Sequence, residues 1–188
     1  MHNIEPHYNW QHYYNSQDDA LSPFYEREYS EFEYSNHIYN FVIHPQWDDM
    51  GSSTLYLKIL FVDYNQHCAI VELIGEWNDA IENDGMILKR DVVDAMLPHG
   101  IDKYIVIGEN VLNFHAADDS YYEEWLDDVA NGWVAFVNFR PHVITEMNVA
   151  NIDSYINIGG ELNNLQWRTY QPIQLYNLVN KIVSNRLM

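Results

Sequence analysis

Between Leu112 and Val129 the chain reads LNFHAADDSYYEEWLDDV, which places six carboxylates, one histidine and one serine within eighteen positions. Three kinds of chemistry fit those residue types. Glu109, His115, Asp118 and Asp119 could hold a magnesium-type cation for hydrolysis, because oxygen-rich sites are assembled from scattered acids without a diagnostic spacing. Glu109, read as lying just after a strand, would then sit at the carboxyl edge of a sheet, where open α/β folds bind ligands. Ser120 could accept a phosphate, which adds about two negative charges. The bland alternative is the solvated start of an ordinary helix.

The spacing supports a helix. Ser120 and Glu123 fit the S-x-x-E capping box, Tyr122, Trp125, Leu126 and Val129 recur at i, i+3, i+4 and i+7, and Asn131 with Gly132 closes the element. Glu123, Glu124, Asp127 and Asp128 then lie outward. Asp127 and Asp128 sit in the last turn, where the helix dipole disfavours acids by a few tenths to about 1 kcal/mol, a hint of a partner.

The elements that must position this stretch follow from periodicity and punctuation. LSPFYEREYSEF predicts a helix with Ser22 as N-cap, Pro23 at its first position and Tyr25, Tyr29 and Phe32 along one face. YNFVIHP predicts a strand. LYLKILFVD and HCAIVELIG, joined at Tyr64-Asn65-Gln66, predict a β-hairpin. Asp79 and Glu82 form a second capping box, opening a helix with Ile81, Leu88, Val92, Ala95 and Met96 inward and Pro98 and Gly100 at its end. KYIVIG, WVAFVNF and SYINIGG predict three more strands. Helices follow from Pro141, with Val143, Met147 and Ala150 inward, and from Pro172, with Leu175, Val179, Ile182 and Val183 inward. The order β-β-α-β-α-β-α-β-α gives an α/β fold with a mixed sheet: an N-terminal β-hairpin followed by alternating β/α units with parallel strands.

Other reaction chemistry is not signalled. The chain has no G-x-S-x-G elbow, Walker A loop, G-x-G-x-x-G or H-E-x-x-H. Cys68 falls mid-strand among Ala69, Ile70 and Val71, where a buried inert thiol is expected. His2, His7 and His12 recur every five residues, a poor match to the i, i+4 pair with which a helix clasps zinc, and are read as surface residues. Gly159-Gly160 allows a tight exit from a strand. No cofactor and no metal are expected.

At 188 residues, 47% of them hydrophobic and 20% charged, the chain can bury one good core. A formal charge of -19 opposes binding to nucleic acid and to anionic membranes, since neutralising phosphates requires clustered Lys and Arg. The single cysteine, and an N-terminus without a basic and then apolar leader, predict a cytoplasmic protein. No apolar run approaches the roughly 20 residues that span a bilayer. Residues 1-50 stand apart as an aromatic, acidic extension to a domain over 51-188, with ten Phe, Tyr or Trp in the first forty positions.

Residues 55-187 resemble a STAS domain, the family of anti-sigma-factor antagonists, stressosome subunits and anion-transporter tails. The resemblance is carried by VELIGEWNDAIENDGMILKRDVVDAML, DKYIVIGENVLNFHAADD and WVAFVNFRPHVITEMNVANIDSYINI. It implies a non-enzymatic regulatory module that binds another protein, such as a regulatory kinase, a sigma-factor regulator or a second copy of itself. The partner surface would comprise Phe114, His115, Asp118, Asp119, Ser120, Tyr121 and Glu124. Many members are switched by phosphorylation of a Ser or Thr at the start of the helix after the central strand. With Phe114 matched to the family's loop aromatic, the family's Asp-Ser-Ser-Gly falls on Ala116, Ala117, Asp118 and Asp119, which removes the acceptor and leaves Asp118 as a permanent charge. A two-residue insertion would instead restore the Asp-Ser pair at Asp119 and Ser120. Capping is the commoner role for a serine so placed.

Overall fold

The computed structural model describes residues 4–30 and 32–186. Two short strands, β1 (His37–Ile38) and β2 (Phe41–Val42), pair as a hairpin. The main sheet holds β3 (Asp48–Asp49), β4 (Leu55–Asp63), β5 (Cys68–Asn78), β6 (Lys103–His115) and β7 (Trp133–Val137), in that spatial order. The β3–β4 and β4–β5 pairs are antiparallel and the β5–β6 and β6–β7 pairs parallel. The Asp63 carboxylate holds the β4–β5 turn by accepting the N–H groups of Asn65 and Gln66. The expected mixed α/β architecture is therefore present: a hairpin, then β/α units with parallel strands.

The parallel strands are joined by helices, as crossover connections require. α1 (Asp84–Ile87) continues through a π-helical stretch, Leu88–Val93, into α2 (Asp94–Met96) and a 3-10 turn, Leu97–His99. α3 (Ser120–Asp128), α4 (Pro141–Val149) and α5 (Pro172–Arg186) follow. In α4, Val143 and Met147 are buried, and in α5, Leu175, Val179, Ile182 and Val183 are buried, as their periodicity predicts.

Several local expectations are corrected. The expected helix is absent: residues 22–26 form turns and bends and 27–30 no regular element, the Ser22 hydroxyl accepts from the N–H of Phe24, Glu26 takes a positive φ of 59°, and Phe32 is 86% exposed. Arg27 and Tyr29 reach Asp48 from this stretch, a pair of long-range contacts that overrides local helix propensity. Asp79 opens no capping box, because its carboxylate is consumed by Trp77, Gly85 and Tyr122. The helix begins after Asn83 instead, and Ile81 is 74% exposed. SYINIGG is reduced to one bridge, Asn157 to Ala135, although Gly159 and Gly160 do take positive φ. β6 extends through His115, so Glu109 lies within the strand and not beyond its end.

One face of the sheet packs against α1 to α4 through a core containing Leu57, Trp77, Leu88, Phe114, Trp125 and Phe136. The other face is divided. α5 and Trp167 cover the apolar residues of β6 and β7, including Ile105, Ile107 and Ala135. Ile38, Ile43 and Trp47 cover Tyr56 and Ile74 on β4 and β5. Gly75 makes that second cover feasible: a Cβ there would stand 2.1 Å from the Thr54 carbonyl oxygen and 2.6 Å from Ile38. The extension thus wraps the β4 side and supplies the edge strand β3, which shields the sheet from further pairing.

The N-terminal segment is tied down at Glu72, which is fully buried on β5. Glu72 accepts the backbone N–H of His7 at 2.9 Å and lies 3.2 Å from the Arg168 guanidinium. Arg168 also pairs with Glu109, whose carboxylate accepts the Trp167 indole N–H at 3.0 Å. His7 is not the surface residue expected: its ring stands edge-on to Trp10 and Trp167, while His12 is exposed and His2 lies outside the described residues. Burial raises the Glu72 pKa to about 7, opposed by the His7 N–H and Arg168. The folded state therefore holds this proton more tightly than the unfolded chain, and the stability it confers is complete below about pH 4.5 and lost as pH rises through about 7. Glu72→Gln is expected to flatten the fall in unfolding free energy across that window by up to about 3 kcal/mol. Urea denaturation at a series of pH values measures this, and identical slopes for the two proteins would refute it.

Candidate functional site

The surface singled out by sequence sits where β5 and β6 end side by side. Asn78 pairs in register with His115, and the His115 carbonyl accepts the N–H groups of Asp79 and Ala80 at 2.9 and 3.2 Å. The loop after β5 and the loop after β6 are thereby stitched together. Phe114, one residue earlier, alternates inward on the strand. It is 2% exposed and packs edge-on to Trp77, which removes it from the partner surface expected of it. His115, Ala116, Ala117, Asp118 and Ser120 remain exposed.

The helix start is organised by Asp118 and Asp119. The Asp118 carboxylate accepts both the Ser120 N–H, at 3.0 Å, and the Ser120 hydroxyl. Asp119 occupies the N-cap position, with its carboxylate accepting from Asn151 at 3.2 Å and from the Tyr155 hydroxyl at 3.0 Å. These bonds favour the charged forms, and both acids are held below the usual carboxylate range, Asp118 chiefly by the Ser120 hydroxyl and Asp119 chiefly by Asn151. The capping box expected of Ser120 and Glu123 is not formed. Ser120 is the first helical residue, and its hydroxyl turns back to Asp118 instead of forward to an N–H.

Beneath the exposed loop the ties are buried. Tyr122 is 2% exposed, stacks on Trp77 and donates to Asp79 at 2.5 Å. Asp79 also accepts from the Trp77 indole at 2.9 Å and the Gly85 N–H at 2.6 Å. Burial raises the Asp79 pKa, and the hydrogen bonds from Tyr122, Gly85 and Trp77 resist that rise. The Tyr122 phenol is driven well above its ordinary pKa by burial and then by the Asp79 charge, so it remains a donor.

Two acids of α3, Glu124 and Asp128, find their counter-charge inside the molecule. Lys89, fully buried on the π-helical stretch, donates to Asp128 at 2.7 Å and to Asp94, and lies 3.8 Å from Glu124. Burial opposes the charge of Lys89, but Asp128 and Asp94 outweigh it and leave its pKa raised. Arg90 makes a two-pronged bond to Glu124 at 2.6 and 2.8 Å. The dipole conflict at Asp128 therefore reflects an internal partner, and Glu124 is a contact to α1's continuation. Tyr121 stays half-exposed, with the Arg90 guanidinium 5.8 Å from its ring centre.

Three of the four residues considered for a cation are committed to different partners. Glu109 is held by Arg168 and Trp167, Asp118 by Ser120, and Asp119 by Asn151 and Tyr155. Among the described residues no group of three or more His, Cys, Asp or Glu is placed to hold a metal ion. Cys68 is buried, and burial pushes its thiol up to about 12. The residue that sequence reasoning missed is Ile81, an exposed apolar side chain on the loop stitched to His115. Its helical spacing from Leu88 disguised it.

No family model matches the chain, and no curated protein matches it. A solved structure from Thermotoga maritima, of a protein provisionally described as an anti-sigma factor antagonist, is 24% identical, with a TM-score of 0.40, 54% of this chain covered and 82% of that one. Among the described residues no helix is long and apolar enough to cross a membrane.

Two substitutions separate support from display. Tyr122→Phe leaves the buried Asp79 short of one donor and is expected to cost about 1–3 kcal/mol. Ser120→Ala removes no cap and is expected to change stability by less than about 0.5 kcal/mol. Guanidinium unfolding of both variants measures this; a larger loss for Ser120→Ala would restore the capping role.

Proposed function

We propose that the chain is a STAS-type regulatory module, without enzymatic activity, that binds another protein through the two stitched loops and the start of α3. The surface comprises His115, Asp118, Ser120 and Tyr121, with Asp119 and Glu124 as positioning residues at its border and Ile81 as an apolar contact. The observation that carries the reading is the division of labour in this region. Buried groups fix the backbone from below, while the two loops above present the exposed apolar side chain of Ile81 together with the exposed His115 and an Asp118 carboxylate that is paired only with the neutral Ser120. Such preorganisation lowers the ordering cost of association.

The sheet order and the crossover helices agree with the family that the sequence resembles. In that reading Asp118 supplies a fixed negative charge at the N-terminal end of α3, where other members acquire a phosphate. A charge so placed is favoured by the helix dipole. The partner is a regulatory kinase, a sigma-factor regulator or a second copy of the chain. A metal-dependent hydrolase gains no supporting observation, since Glu109 is consumed by Arg168 and Trp167.

Affinity capture from the native cell with the full chain as bait tests the assignment. Ile81→Asp and Asp118→Lys are each expected to reduce recovery of the bound protein about tenfold, equivalent to about 1.4 kcal/mol. Val149→Asp, on the exposed side of α4, should recover it undiminished. Equal recovery with all three variants would exclude this surface.

A further inference from the structure

Residues 4–15 lie against the sheet face that α5 also covers, and they are lightly held. Only Pro6 and Trp10 of this stretch are buried. Among the described residues it makes no backbone-to-backbone hydrogen bond with a strand of the sheet. Its ties run through side chains instead. The Trp47 indole donates to the Ile4 carbonyl at 2.8 Å, the His7 N–H to Glu72 at 2.9 Å, the Trp10 indole to the Tyr170 carbonyl at 3.1 Å and the Tyr14 hydroxyl to Asp19 at 2.9 Å. Conformational entropy opposes the ordering of every residue, and segments with few buried apolar contacts are those that open locally.

Glu72 is the one titratable group among these ties that is fully buried, and the charges facing it do not balance. From the Trp167–Thr169 turn, the Arg168 guanidinium lies 3.2 Å away but pairs also with Glu109 on β6. From β4, Lys58 stands opposite Glu72 in the strand register, yet its ammonium lies 3.3 Å from Asp48. From the segment itself, burial and then Arg168 hold the His7 pKa down, so the ring brings no compensating charge at neutral pH. Asn110 on β6 offers a neutral amide at 3.5 Å. One guanidinium thus serves two carboxylates, and the second negative charge is opposed in a seat closed to solvent.

We infer that residues 4–15 are a proton-controlled strap: they lie on the sheet while Glu72 carries a proton, and lift from it, with the rest of the fold standing, when that proton is lost. Lifting hydrates the carboxylate at the cost of the His7 N–H bond. It also withdraws the Trp10 ring from Trp167, 5.6 Å away between centres, and uncovers the apolar residues beneath. Burial carries the Glu72 pKa up to about 7, so the seat is complete at low pH and weakens as pH rises through that value. Glu5, 3.5 Å from His44, forms an ion pair only while that ring is protonated and acts in the same sense. A proton on His7 acts in the opposite sense, below its ordinary value of 6.5.

Hydrogen exchange of the full 15N-labelled chain, corrected for the intrinsic rate at each pH, tests this. Protection of the His7 amide and the Trp10 indole is expected to fall about fivefold between pH 6 and 7 and to level off above, the course of a single proton. At every pH it should lie at least about a hundredfold below that of the Ile105 and Val106 amides, which open only with the whole fold. Glu72→Gln should make strap protection independent of pH over this range. Glu109→Gln, a change at a partly exposed side chain, leaves Arg168 to Glu72 alone and should shrink the fall, which supplies the reading if Glu72→Gln does not fold. Equal protection at His7, Trp10 and Ile105 would overturn the strap, because opening would then be global. A pH-independent strap in the unaltered chain, or an undiminished fall in either variant, would overturn the role of Glu72.

Discussion

One buried carboxylate, that of Asp79, joins three parts of the molecule that sequence places far apart. It takes the indole of Trp77 at the end of β5, the backbone of Gly85 at the start of α1 and the phenol of Tyr122 in α3. Burying a carboxylate is strongly unfavourable unless its lone pairs are satisfied, so these three donors must arrive together or not at all. That requirement converts a local turn into a long-range constraint. It fixes the separation of β5's exit from α3, and hence the relation between Ile81 and the His115–Ser120 loop. The display of a surface here follows from the cost of an unsatisfied charge below it.

A related constraint acts on the opposite face of the sheet. α5 is 15 residues long and covers the β6–β7 side, leaving the β4–β5 side to the N-terminal segment. The extension is thus a structural partner of the sheet. It brings Trp10 against Trp167 and Ile38 against Gly75, and it adds β3 at the edge. Covering a sheet edge with a short strand removes a template for association with other chains. The same wrapping leaves a polar groove between the segment and β4.

The alternation of strands and helices was legible because apolar periodicity is set by burial, and burial is what the fold achieves. α4 and α5 carry their inward residues at the expected positions. Legibility failed where a side chain preferred another partner over the backbone group that its local pattern offered. Asp79 and Ser120 both sit in capping-box patterns, yet Asp79 serves Tyr122, and Ser120 serves Asp118. Ser22 and Pro23 read as a helix start, but Arg27 and Tyr29 are drawn to Asp48. Phe114 matched a loop aromatic by alignment, whereas the alternation of β6 turns it into the core. For Asp79, Arg27 and Tyr29 the deciding partner lies 19 to 43 positions away, which a local pattern does not announce.

Charge accounting connects the two faces. The chain has nine Lys and Arg against 28 Asp and Glu, and six of the nine, Arg27, Lys58, Lys89, Arg90, Lys103 and Arg168, form ion pairs within the molecule. Lys89 is wholly buried in doing so. Much of the positive charge is therefore engaged in ion pairs, and the balance of charge on the molecule is strongly negative. Exposed ion pairs of this kind add little stability, but they determine which acids stay free. Those that stay free, Asp18, Glu26 and Glu28 on one side, and those held only by neutral donors, Asp118 and Asp119 on the other, project a field of one sign. A molecule so built disfavours its own copies at long range unless an apolar contact such as Ile81 intervenes, and it favours association with surfaces that carry basic rims.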